Sequence, residues 1–66
     1  MKHFIRTSIG EYINISEIRA IYVDDEHTIV ARLKGDKAEA LIIHQDETRF
    51  KAENYLMNMM RNLCGN

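Results

Sequence analysis

The sequence predicts an α+β fold, an antiparallel β-meander of four to five short strands packed by one C-terminal α-helix. Three observations lead there. All nine Ile and both Val precede residue 44, whereas three of the four Met lie between 57 and 60; branched side chains favour strands and unbranched ones favour helices. The apolar residues alternate before that boundary and recur at helical spacing after it. The whole chain has 66 residues, too few for two separate cores, so residues 1–66 form a single expected domain, with strands within about 3–44 and a helix over about 47–64.

The elements follow in order. Residues 3–9 alternate, with Ile5, Thr7 and Ile9 on one side and Phe4, Arg6 and Ser8 on the other, which predicts a first strand. Gly10 tolerates the positive φ of a tight turn and returns the chain into a short strand at 12–15. Asn14 and Ser16 then make a polar break. Alternation resumes over 18–23, with Ile21 and Val23 opposite Ala20 and Tyr22, and Asp24, Asp25, Glu26 and His27 form its turn. Residues 28–34 place Ile29, Ala31 and Leu33 inward and Thr28, Val30, Arg32 and Lys34 outward, and Lys34, Gly35, Asp36 and Lys37 read as a hairpin turn. In the last strand, 38–44, the consecutive Leu41, Ile42 and Ile43 imply cover on both faces, which makes it the expected central strand.

The helix is expected to start between Asp46 and Thr48, whose oxygens can accept from the free amides of a first turn, and to stop at Cys64 ahead of Gly65. Arg61 suits the negative end of the helix dipole. At about 100° per residue, Ala52, Tyr55, Leu56, Met59, Met60 and Leu63 share the face that must cover the sheet. Phe50, Met57 and Cys64 repeat every seven residues on the adjoining flank and widen the apolar arc.

Composition excludes several classes. Nine Lys and Arg against ten Asp and Glu leave a net charge of −1, without the basic surplus that supplies affinity for a phosphate backbone, so nucleic acid is a disfavoured partner. Apolar runs are only a few residues long, so no membrane span or signal-peptide core is expected and the expected location is cytoplasmic. One cysteine makes no internal disulfide and fits a reducing compartment.

Candidate chemistry is sparse. Asp24, Asp25 and Glu26 put three carboxylates in one turn, but they lack the alternating acids, bend glycine and distal Glu of a calcium loop, and a solvated turn accounts for them better. His3, His27, His44 and Cys64 are metal-ligand types without any close pair, so no metal site is assigned. His44 beside Asp46 and Glu47 resembles a general-base arrangement, yet no phosphate loop, nucleophile elbow or second cluster completes a mechanism. Neither a catalytic activity nor a cofactor is expected. Arg6, Arg19, Arg32, Lys34 and Lys37 with Tyr12 and Tyr22 fall in the sheet, where a basic and aromatic face would stack single-stranded bases, but Glu11, Glu17, Asp36 and Glu39 dilute it.

The order of a strand, Tyr12-Ile13-Asn14, Ile18, then Ile29 through Gly35, a strand and a helix resembles in pattern the short FlbD-like flagellar proteins over most of the chain. The longer, Met-rich helix here departs from that pattern, and no function is carried over from it.

The expected function is that of a small non-enzymatic interaction module that binds a protein partner or itself through the helix flank or an open sheet edge, with a homodimer favoured. The assigned surface is Phe50, Met57, Met60 and Cys64, because exposed apolar stripes mark contact surfaces and so short a chain buries only roughly 60% of its unfolded surface. The alternative is a small regulator contacting nucleic acid through the sheet face.

Overall fold

The computed structural model describes residues 4–35 and 39–64, the last of these by its backbone alone. Its elements run β1 (Phe4–Arg6), β2 (Tyr12–Asn14), a 3₁₀ turn (Ile15–Glu17), β3 (Ile18–Val23), β4 (Thr28–Leu33), β5 (Ala40–Gln45) and α1 (Arg49–Cys64). All strand pairs are antiparallel. The fold is α+β with one C-terminal helix, as the sequence predicts. The strands form two sheets, a β1-β2 hairpin and a β3-β4-β5 meander, and the helix packs on the meander.

β1 ends at Arg6, three residues earlier than the alternation implies. Thr7 is buried, its amide donates to the Glu11 carbonyl at 2.7 Å, and its hydroxyl accepts from the Glu11 amide at 3.0 Å. That pair of bonds closes a turn through Gly10, which takes φ +89°. Ile9 is consequently turned out to solvent, 77% exposed, and does not share the inward face of Ile5 and Thr7. The next break also has a local cause: the Asn14 side chain accepts from the Ser16 amide at 3.0 Å, which caps the 3₁₀ turn and separates the two sheets.

The expected central strand is corrected. β4 lies between β3 and β5, and β5 is an outer strand. The run Leu41, Ile42, Ile43 reflects a bulge: Val30 pairs with Ile42 and Ile29 with His44, so Ile43 is an extra residue on β5. A bulge bends its strand and re-aims side chains; here it leaves Ile43 buried and Ile42 on the far face, 52% exposed. Central position instead buries β4, including Thr28 and Val30, which the alternation assigns outward.

The core lies between the meander and the helix. Ile5, Ile13, Ile29, Ala31, Ile43 and Ala52 are buried together, and Leu56, Met59 and Leu63 pack against them from α1. Ala52 is fully buried, so the helix approaches the sheet closely at that point. The helix starts where the sequence places it: the Thr48 hydroxyl accepts from the Lys51 amide at 3.1 Å and the Asp46 carboxylate accepts from the Glu47 amide at 2.9 Å. The expected Gly65 stop, the Asp36-Lys37 half of the hairpin turn and His3 lie outside the described residues.

Candidate functional site

Since α1 covers one face of the meander, the character of its other face decides what that face does. Registers place Tyr22 opposite Val30 and Val30 opposite Ile42, so these three form a row across the strands. A second row, Ala20, Arg32 and Ala40, lies beside it. A solvated sheet face normally reads polar. Among the described residues, the two rows hold one charge and no carboxylate.

That charge is tied down within the face. Arg32 Nε donates to the Tyr22 hydroxyl at 3.3 Å, a diagonal contact between the rows. Val30, at the centre of the row between Tyr22 and Ile42, is only 8% exposed. The Ser8 amide donates to the Ile42 carbonyl at 2.9 Å, which brings the turn carrying exposed Ile9 against β5 at the end of the row. One row of the face, from Tyr22 through Val30 to Ile42, is thus apolar, bordered by Ala20, Arg32 and Ala40 on one side and by Thr28 and Gln45 on the other.

The surface assigned from the sequence divides. Phe50 and Met57 are 73% and 56% exposed on α1. They stand two turns apart, with Glu53 engaged by Arg49 at 3.1 Å on the helix surface between them. Isolated apolar residues in a polar setting are common on protein surfaces. Met60 is half-buried and lines a groove with Ile5, Ile18 and Leu63. The Cys64 side chain lies outside the described residues. The sequence reasoning missed the row of Tyr22, Val30 and Ile42, although a signal for two of its members was present: the residues set outward by alternation included Tyr22 and Val30, neither of them an ordinary solvated choice.

A second cluster joins β5 to α1. The His44 ring stacks on Tyr55, with centroids 3.8 Å apart and planes inclined by 9°. Its Nε2 lies 3.2 Å from an Asp46 carboxylate oxygen, donating when that nitrogen carries the proton. The Asp46 carboxyl is held below the usual range, first by the Glu47 amide that it accepts from and then by His44. These contacts are those of a strand-to-helix junction. Among the described residues no three His, Cys, Asp or Glu side chains gather to hold a metal ion, and no helix is long and apolar enough to cross a membrane.

Comparison with protein-family models, with curated proteins and with solved structures finds no match, so the likeness to FlbD-like proteins remains one of pattern.

Proposed function

We propose that this chain is a non-enzymatic contact module that forms a homodimer by packing the uncovered face of its meander against the same face of a second copy. The observation that supports this reading is the unbroken row of Tyr22, Val30 and Ile42 across three strands, flanked by Ala20 and Ala40. Two sheets pack face to face at about 10 Å when small and apolar residues meet. A strip of this kind is self-complementary, as a two-fold interface requires.

Size sets the expected strength. Three strands about 4.8 Å apart and six residues long give a footprint of roughly 14 by 20 Å, below the ~800 Å² per partner of a standard interface. The dimer is therefore weak, with a dissociation constant of roughly 10 to 100 μM. Sedimentation equilibrium across that range tests it, with Ile42→Glu as the disrupting variant.

A second reading uses the same face. Tyr22 beside Arg32 offers a ring and a guanidinium on adjacent strands, the pair on which an unstacked base settles. Titration with single-stranded oligonucleotides at two salt concentrations separates the readings: salt-sensitive binding lost in Tyr22→Ala supports this one, and a flat titration removes it.

A further inference from the structure

A groove of about 350 Å³ runs between the C-terminal half of α1 and β3. Ile5, Ile18, Ile21, Met60 and Leu63 give it apolar walls, and among the described residues that line it Arg19 is the only charged one. Three consecutive residues of β3, namely Arg19, Ala20 and Ile21, line this hollow. Ala20 and Ile21 point to opposite faces of β3, so a hollow touched by both follows the strand's edge, where the backbone itself is presented. Among the described residues β3 pairs with β4 alone, whereas the outer edge of β5 already receives the Ser8 amide. The open edge of the meander is that of β3.

Arg19 supplies the chemical preference. The register of β3 against β4 shifts between Ile18 and Ala20, so Arg19 is the extra residue of a bulge, which re-aims its side chain. Arg19 is exposed, and among the described residues no carboxylate pairs with it. An apolar trough beside an open strand edge, with one unpaired cation in it, is complementary to an extended chain that brings aliphatic side chains and a carboxylate.

We propose that the edge of β3 takes up an extended acidic-aliphatic segment of a partner polypeptide as an added strand, its aliphatic side chains against Ile21, Met60 and Leu63 and a carboxylate on Arg19. This site shares only Ala20 with the sheet-face dimer, and Ile42→Glu, on the other outer strand, leaves it intact.

The test uses the full chain, isotope-labelled for backbone amides and methionine methyls, and two fluorescein-labelled octapeptides, one alternating leucine with glutamate and one alternating leucine with lysine. The expected result is saturable binding of the Leu-Glu peptide, with shifts concentrated at the Ala20 and Ile21 amides and the Met60 methyl. Its affinity should exceed that of the Leu-Lys peptide by about fivefold, the worth of one exposed ion pair. Arg19→Gln, an exposed change whose fold is checked by the unchanged spectrum elsewhere, should erase that difference and keep the shifts. Absence of binding up to about 1 mM, or equal affinity of the two peptides for the wild type, overturns the proposal. So does a dilution-dependent shift of the Ile21 amide and the Met60 methyl in Ile42→Glu without peptide, which assigns the edge to a second copy.

Discussion

The imidazole of His44 lies flat on the ring of Tyr55, centroids 3.8 Å apart, and so fastens the end of β5 to the middle of α1. The β5 bulge makes this contact: with Ile43 as the extra residue, His44 pairs with Ile29 and comes to the helix side of the sheet. Stacked ring pairs contribute about 0.5–1.5 kcal/mol beyond the area they cover. Tyr55→Ala should lower stability by about 1–2 kcal/mol in urea denaturation, whereas Asn58→Ala, on an exposed position of the same helix, should change it by less than about 0.5 kcal/mol.

The acid side of the stability profile should depend on Asp46. Its carboxyl is held lower in the folded chain, by the Glu47 amide and by His44, than the ordinary 3.8. A depressed carboxyl contributes stability that is fully present above the unfolded value and is lost as pH falls through the folded one. Melting temperature should therefore fall below about pH 4, and Asp46→Asn should lower it at neutral pH, where the carboxylate's contribution is fully present, and flatten the acid decline. An identical acid slope in the variant contradicts the assignment.

The cap at the start of α1 rests on Thr48. Its hydroxyl accepts from the Lys51 amide, and its carbonyl accepts from the Ala52 amide at 3.0 Å. Thr48→Ala should cost about 1 kcal/mol by chemical denaturation, with Thr48→Ser close to wild type.

His27 occupies the left-handed region at φ 60°, and its Nδ1 is buried without a hydrogen-bond partner. The position is fixed by its surroundings: the Asp24 carboxylate accepts from the Glu26 and Thr28 amides, and the His27 carbonyl accepts from the Asp46 amide. His27→Gly should be tolerated to within about 1 kcal/mol, and His27→Val should cost more than His27→Gly by at least about 1 kcal/mol, because a β-branched residue resists positive φ. Equal urea midpoints for the two variants contradict the strained conformation.

The sequence was most legible where one residue determines a local event. Thr48 and the helical spacing of Ala52, Leu56, Met59 and Leu63 located α1 and its inner face, and Asn14, Asp24 and Gly10 marked breaks that the structure places there. Strand order was not legible, because alternation specifies faces and says nothing of neighbours. The bulge at Ile43 hid inside an apolar run that reads equally as a strand covered on both sides. The candidate site depends on registers, since only the pairings of Tyr22 with Val30 and Val30 with Ile42 turn scattered outward residues into one row.

Mass in solution tests the contact face most directly. Sedimentation equilibrium from about 10 μM to about 1 mM should show wild type passing from monomer to dimer, Met57→Glu following the same curve, and Ile42→Glu remaining a monomer with an unchanged melting temperature. A wild type that is monomeric at the highest concentration, or a dimer abolished by Met57→Glu and untouched by Ile42→Glu, contradicts the sheet-face assignment.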